Sequence, residues 1–173
     1  MCTDEIKLCT CCFFGHRNIN ETAFLKNRLY NVVEHLITDK NVNIFLFGSK
    51  SEFDKLCHKT VTSLKEKNPY IKRIYVWAEY KYIDDIYKNY LLESYEDTYY
   101  PEHIENSGKS IYIERNCEMI DNSHFCVVYY DEYYLPEMRI NNCKNSSKYQ
   151  RKSGTKFAYE YATKKGLNII NLK

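Results

Sequence analysis

The stretch NIFLFGSKSEFDKLCHKTVTSL, residues 43–64, contains the pattern that decides the fold of this chain. Its first residues are almost entirely apolar and stop at Gly48, which is typical of a strand buried on both faces. Ser49 and Glu52 have the spacing of a helix-capping box, and the apolar residues after them recur on one helical face. The stretch therefore predicts one strand–loop–helix unit, with a helix that Ser49 caps.

Further strands and helices are predicted on both sides of this unit. Apolar runs predict strands at residues 6–14, 71–78, 125–130 and 168–172, and amphipathic patterns predict helices near 25–37, 83–93, 110–122 and 155–162. The polar, tyrosine-rich residues 94–108 predict a long loop. Buried strands that alternate with helices indicate an α/β fold, a Rossmann-like three-layer sandwich with a mainly parallel sheet flanked by helices. We expect residues 1–173 to form a single domain.

Composition narrows the classes of function. The formal net charge of +2 over 173 residues lacks the basic excess of dedicated nucleic-acid binders, so a nucleic-acid partner is not expected. No apolar run is long enough for a membrane span and the N-terminus has no basic signal-peptide start, which predicts a cytoplasmic protein without a membrane partner. Cys9, Cys11 and Cys12 lie within an apolar run and the other cysteines are scattered. We therefore expect buried thiols, with no metal site and no cofactor.

Three glycine-containing junctions, at Gly15, Gly48 and Gly154, fall at or just beyond the ends of predicted strands. Ser153-Gly154-Thr155 offers backbone N–H groups and a hydroxyl at the positive end of a helix, where proteins tend to hold phosphate. The alternative is an ordinary helix start. Because ligands of open α/β sheets bind outside the carboxyl ends of the strands, the three junctions together predict a phosphate-binding site.

Polar side chains beside the first two junctions are candidate ligand contacts. Arg17 would bind phosphate in a bidentate manner, and His16 would supply a proton donor or a stacking face. The alternative for both is a solvated loop. Ser49 would cap its helix first and contact the ligand second. Asp54 would either accept from a ribose hydroxyl or stabilise the positive end of the helix.

A predicted helix supplies the candidates for chemistry. Arg115 flanks the proposed cleft, although a helical arginine is more often a surface ion-pair partner. Glu114 and Glu160 are candidate general acids or bases, with exposed helical glutamates as the commoner alternative. We assign Arg115 and Glu114 as the catalytic candidates, and Arg115 also as a ligand contact.

These motifs, taken in order, resemble the SLOG superfamily and within it the YpsA-like (DUF1273) branch. CFFGHR at 12–17 resembles the strand of that branch that ends in Gly-His-Arg, and GSKSEFD at 48–54 resembles its Gly-Gly-Ala-x-Gly-x-Asp segment. Residues 115–121 resemble its Arg-Asn-x-x-Met-x-Asp helix, and residues 153–155 its Gly-Gly-Thr phosphate loop. The second loop departs from the pattern, because Ser49 and Glu52 replace two of its three glycines.

The resemblance implies a Rossmann-like protein that binds nucleotides or nucleotide-derived sugars. Related lineages are the LOG enzymes, which hydrolyse the N-glycosidic bond of nucleoside monophosphates, the DNA-processing DprA proteins, and sensors of ADP-ribose-like signals. The LOG enzymes pair a helical arginine, matched here by Arg115, with a glutamate three residues after the phosphate-loop threonine, where this chain has Ala158. The resemblance therefore favours binding or sensing of a nucleotide or nucleotide-derived sugar. The alternative is a LOG-like phosphoribohydrolase in which Glu114 or Glu160 substitutes, so enzymatic activity is left open.

Two further readings come with the resemblance. A DprA-like module that binds single-stranded DNA is a third class of function, which the weak net charge disfavours. Related enzymes also pair through helices near the active site, so self-association into a homo-oligomer is the remaining partner prediction.

Overall fold

The computed structural model of the protein describes residues 3–105, 108, 110–134 and 153–173. The described residues form six helices and six strands in alternation. In chain order they are α1 Thr3–Leu8, β1 Thr10–Gly15, α2 Ala23–Lys40, β2 Ile44–Phe47, α3 Glu52–Lys67, β3 Lys72–Val76, α4 Asp85–Leu92, β4 Asp97–Tyr99, α5 Ser110–Asp121, β5 Phe125–Tyr129, α6 Gly154–Lys164 and β6 Asn168–Asn171.

The strands form one parallel sheet in the order β4-β3-β2-β1-β5-β6. The central strand β1 pairs with β2 on one side and β5 on the other, so that Cys12 lies between Leu46 and Cys126. The strand order reverses between β1 and β5, which makes this the topological switch point of the sheet. The predicted Rossmann-like α/β architecture is confirmed.

Helices cover both faces of the sheet because the strands are apolar on both faces. On the first face, α2 and α3 pack their buried residues against Phe13, Phe45 and Phe47, whose rings stack with centroids 5.1 and 5.9 Å apart. On the second face, α5 and α6 pack residues such as Met119 and Ala158 against the other side of the same strands. Removing one of these buried phenylalanine rings would cost about 3–5 kcal/mol, so this core holds the strand ends in fixed positions.

Two sequence predictions about the elements were wrong. The predicted strand at 6–14 begins too early, because residues 6–8 belong to α1, and the side chains of Ile6 and Leu8 are 40% and 52% exposed. The predicted loop at 94–108 contains the edge strand β4, in which only Thr98 is buried. Both elements are short and half-solvated, so their apolar content does not distinguish them from their neighbours.

The predicted capping box is also wrong. α3 begins at Glu52, and its cap is Ser51, whose Oγ accepts from the Asp54 backbone N–H at 3.0 Å. Ser49 instead accepts from the Ser51 backbone N–H at 3.1 Å, within the loop. Glu52 Oε2 accepts from Ile19 N at 2.8 Å, so this glutamate joins the loop after β1 to the start of α3.

Candidate ligand site at the carboxyl edge

The glycine junctions lie at the carboxyl edge of the sheet. Gly15 is the last residue of β1, and Gly48 directly follows β2. Ser153 caps α6, which returns the chain from the end of β5 to the start of β6. Because every strand is parallel, these three positions lie on the same side of the sheet, around the switch point.

Gly15 is required by close packing. A Cβ atom at this position would lie 2.4 Å from the ring of Phe53, which is fully buried at the start of α3. The first turn of α3 therefore packs directly on the end of β1. This contact fixes the spacing between the first and second junctions.

The second junction is held by the buried side chains of Arg115 and Asp54. Arg115 Nη1 donates to the carbonyl of Gly48, and the Asp54 carboxyl accepts from the backbone N–H groups of Gly48 and Ser49. A Cβ on Gly48 would lie 2.9 Å from the Arg115 side chain and from the carbonyl of Val76. We call Gly48, Ser49, Asp54 and Arg115 the Gly48 clamp.

Burial dominates the electrostatics of the Gly48 clamp. It raises the pKa of Asp54 to about 8, against the opposing effects of Arg115 and of the Gly48 and Ser49 N–H groups. Asp54 is thus mostly neutral at pH 7, and its Oδ1 is buried without a hydrogen-bond partner among the described residues. Burial also lowers the pKa of Arg115, but a guanidinium stays charged at neutral pH. The clamp is therefore a net cation beneath the loop.

His16 and Arg17 occupy different environments in the loop after β1. His16 is buried, stacks on Tyr134 with ring centroids 3.8 Å apart, and accepts at Nε2 from the Asp131 backbone N–H at 2.9 Å. Burial lowers its pKa, so the ring is neutral at pH 7 with its proton on Nδ1, which has no partner in the described part of the chain. Arg17 is exposed, and its carbonyl accepts from Glu52 N.

The third junction is open. Ser153 Oγ accepts from Lys156 N at 3.1 Å, which caps α6, and Thr155 is buried against the sheet. Among the described residues, nothing lies within 4 Å of a Cβ placed on Gly154. Gly154 itself is exposed, whereas Ser153 and Lys156 beside it are half-buried.

The side chains of both catalytic candidates, Glu114 and Arg115, form hydrogen bonds to the backbone of the chain. Glu114 is half-buried and its Oε2 accepts from the Glu105 backbone N–H at 3.0 Å, which ties down the segment before α5. Arg115 is bonded to Gly48, as described above. Ala158, three residues after Thr155, is fully buried among the side chains between α5, α6 and the sheet. No carboxylate can be provided from that position.

A cavity of about 630 Å³ opens next to the Gly48 clamp, and the sequence predictions did not include it. It lies between the loop after β2, the segment after β3 and the start of α5. Its aromatic lining consists of Trp77, Tyr80, Tyr82, Tyr87 and Tyr112. The volume is within the range of pockets for small organic ligands.

The polar end of this aromatic cavity is formed by Lys50 and Glu79. The ammonium of Lys50 lies 3.4 Å from Glu79 Oε1, and the Tyr112 hydroxyl donates to the same oxygen at 3.3 Å. Asp84, also in the lining, caps α4 by accepting from Tyr87 N at 2.7 Å. The feature of the sequence that could have indicated this cavity is the dense tyrosine content of residues 80–90, together with the single tryptophan of the chain.

The described residues contain neither a metal-ligand cluster nor a helix that could span a membrane. Among them, no three His, Cys, Asp or Glu side chains lie together in a way that could hold a metal ion. Cys11, Cys57 and Cys126 are free thiols, and burial contributes to a raised pKa at each. No helix in the described part of the chain is long and apolar enough to cross a bilayer.

Comparison with known proteins identifies the fold. No protein-family model matches the sequence, and no curated protein matches it either. Among solved structures, the chain is similar to DNA processing protein A (DprA) from Streptococcus pneumoniae, with a TM-score of 0.55 and 16% sequence identity. The match covers 96% of this chain and 50% of DprA, so the chain spans about half the length of that protein. The described part of the chain thus has a DprA-like, Rossmann-like α/β fold.

Proposed function

We propose that the protein binds a nucleotide or a nucleotide-derived sugar at the carboxyl edge of its sheet. The observation that carries this proposal is the aromatic cavity of about 630 Å³ that opens beside the Gly48 clamp, with the ammonium of Lys50 at its rim. Aromatic walls suit a planar base, and a cation at the rim suits a phosphate. The cavity also lies at the edge where open α/β sheets bind ligands.

The charges of the carboxyl edge support an anionic ligand. Arg17 and Lys50 are exposed on the loops after β1 and β2, and the buried Arg115 adds a positive charge beneath the second loop. The first turn of α6, where Gly154 is exposed, supplies the positive end of a helix dipole. In this proposal, the phosphate lies between these groups and the base extends towards the aromatic cavity.

Binding is favoured over hydrolysis by the surroundings of Arg115 and Ala158. Arg115 is engaged with Gly48, and the buried Ala158 cannot donate a proton or stabilise a charge that develops on ribose. The SLOG relationship, with its YpsA-like branch, belongs to this proposal as a family hypothesis. Incubation with AMP and chromatography for free adenine tests the alternative, since adenine release above the uncatalysed rate would establish the phosphoribohydrolase.

Isothermal titration calorimetry tests the binding proposal. AMP, ADP and ADP-ribose are titrated into protein shown to be folded by circular dichroism. Replacing Lys50 by alanine should weaken the best ligand about tenfold, which corresponds to the loss of one charge-assisted contact of about 1.4 kcal/mol. Lys72→Ala is the matched control, because Lys72 is exposed at the amino end of β3. Absence of binding by all three probes would refute the proposal.

Single-stranded DNA is the second candidate ligand. The similar structure is that of a DNA processing protein, and Tyr80 and Tyr82 are 71% and 84% exposed, as base-stacking side chains often are. The near-neutral charge of the chain disfavours this candidate. Fluorescence anisotropy with a labelled oligonucleotide, starting at about 20–50 mM salt, distinguishes DNA from a nucleotide as the ligand, because DNA binding would weaken steeply as salt is added.

A further inference from the structure

We infer that the aromatic cavity is a base pocket, and that it selects bases with an exocyclic amino group, such as adenine, over uracil. This inference rests on the proposed nucleotide-binding function and specifies which part of the ligand enters the cavity. It depends on three features of the cavity: aromatic walls held in place, a carboxylate beside them, and a position next to the Gly48 clamp.

The aromatic walls are anchored by the backbone. Trp77 N donates to Tyr99 O at 3.1 Å, and Trp77 Nε1 donates to Tyr80 O at 2.9 Å. These two bonds hold Trp77 and the backbone of Tyr80, and the rings of Tyr80 and Tyr82 are largely exposed. Large aromatic side chains that are left uncovered beside an anchored tryptophan offer stacking surfaces to a planar ligand.

The carboxylate of Glu79 provides the selectivity. Among the described residues, its contacts with Lys50 and Tyr112 both involve Oε1, so Oε2 retains the capacity to accept a hydrogen bond. Adenine, cytosine and guanine carry amino groups that can donate to it. Uracil instead presents a single N–H between two carbonyl oxygens, and these would approach the carboxylate with unfavourable electrostatics.

The position of Lys50 decides between a base and a cationic ligand. Aromatic side chains with a nearby acid also bind quaternary ammonium groups. Here the ammonium of Lys50 already lies 3.4 Å from Glu79 Oε1 and would repel a second cation. Lys50 follows the Gly48 clamp directly, and the Arg115 guanidinium carbon lies 5.6 Å from the Tyr112 ring centroid. A base in the cavity would therefore have its phosphate near cations.

Trp77 is the single tryptophan of the chain, so its fluorescence reports on this cavity. Excitation at about 295 nm avoids tyrosine and nucleobase absorption. AMP, UMP, ribose 5-phosphate and choline are titrated, with calorimetry in parallel. We expect AMP to quench Trp77 and to bind about tenfold more tightly than UMP and ribose 5-phosphate, with no response to choline.

Two variants and a control test whether AMP binding and base preference depend on the aromatic cavity. Tyr82→Ala should raise the Kd for AMP about tenfold, because one stacking surface is lost. Glu79→Gln should reduce the preference for AMP over UMP to less than about twofold. Tyr70→Ala is the control, since Tyr70 is 58% exposed in the turn before β3, at the opposite edge of the sheet, and its loss should leave the Kd unchanged.

The outcomes separate the base pocket from the wider proposal. If AMP and ribose 5-phosphate bind equally well without Trp77 quenching, or if Tyr82→Ala has no effect, the base pocket is refuted while nucleotide binding stands. Saturable choline binding that Glu79→Gln abolishes would also refute it, in favour of a cation site. If none of the probes binds, the proposed function fails and the base pocket with it.

Discussion

The Gly48 junction and the start of α6 have the same character in the sequence but different structures. Each places a glycine beside a serine at the carboxyl edge of the sheet. At the first, the space around Gly48 is filled by Arg115 and Val76, and the loop is bonded from two sides. At the second, no atom of the residues that the structure describes lies within 4 Å of a Cβ placed on Gly154.

The difference shows that one sequence signal can serve two purposes. The glycine of the filled junction permits a close approach within the protein, and its polar groups are satisfied there. Gly154 at the other junction is exposed and has no such packing role among the described residues, which suits the ligand contact proposed for it. Substitutions at matched positions can therefore separate structural roles from binding roles at this edge.

The largest effect is expected from Arg115→Ala. This change leaves the Gly48 carbonyl without its donor, removes the positive charge near Asp54 and opens a cavity, which should lower the free energy of unfolding by about 3 kcal/mol. Urea denaturation measures the loss. Arg17→Ala is the control, since this exposed arginine should change stability by less than about 0.5 kcal/mol. Equal losses of stability in the two variants would contradict the structural role of Arg115 in the Gly48 clamp.

Alanine at the two glycines compares the junctions directly. Gly48→Ala should destabilise the protein by about 2 kcal/mol, because the added methyl overlaps the Arg115 side chain and the Val76 carbonyl. Gly154→Ala should be neutral or stabilise the protein slightly, since the methyl meets nothing and alanine favours the helix. Thermal unfolding of both variants measures the two changes in stability. A large loss of stability in Gly154→Ala would contradict the expected difference between the two junctions.

The pH dependence of stability tests the burial of Asp54. The folded pKa of about 8 exceeds the ordinary value of 3.8, so between these values the folded state holds a proton that the unfolded state has released. Wild-type stability relative to Asp54→Asn should therefore fall by about 1.4 kcal/mol from pH 6 to pH 7. Asp39→Asn, at an exposed site with a lowered pKa, should show no such slope over this range.

The smallest effect distinguishes the two serines before α3. Ser51→Ala removes the helix cap and should cost about 1 kcal/mol. Ser49→Ala removes only a bond within the loop and should cost less than about 0.5 kcal/mol. Guanidinium denaturation of both variants is the measurement. A larger loss for Ser49→Ala would restore the capping box that the sequence predicted.

Much of the fold could be predicted because parallel strands buried on both faces are continuously apolar. β1 and β2 are such strands, and the first two glycine junctions follow from where they end. β4 could not be found in this way, since Asp97-Thr98-Tyr99 is an edge strand with one buried residue. The first helix was missed because six residues are too few to show a helical period.

The location of the candidate site was predictable, but its internal arrangement was not. Arg115 and Gly48 are 67 positions apart, and their contact depends on how α5 is rotated on the sheet. The aromatic cavity combines Tyr112 with residues 77–87, and a chain with 18 tyrosines gives no sign of which of them converge. The sequence predicted that His16 would offer a proton donor or a stacking face to a ligand, but its ring is buried against Tyr134 within the protein, and burial lowers its pKa.

The pairing of β1 with β5 has a consequence for the order of events during folding. The Sγ of Cys12 in β1 lies against the carbonyl of Phe125, 113 positions further along the chain. During synthesis, that side of β1 stays unpaired until most of the chain has emerged, and such distant contacts form slowly. The seam between β1 and β5 is also the switch point of the sheet. The carboxyl edge around this seam should therefore be completed late, after most of the sheet has formed.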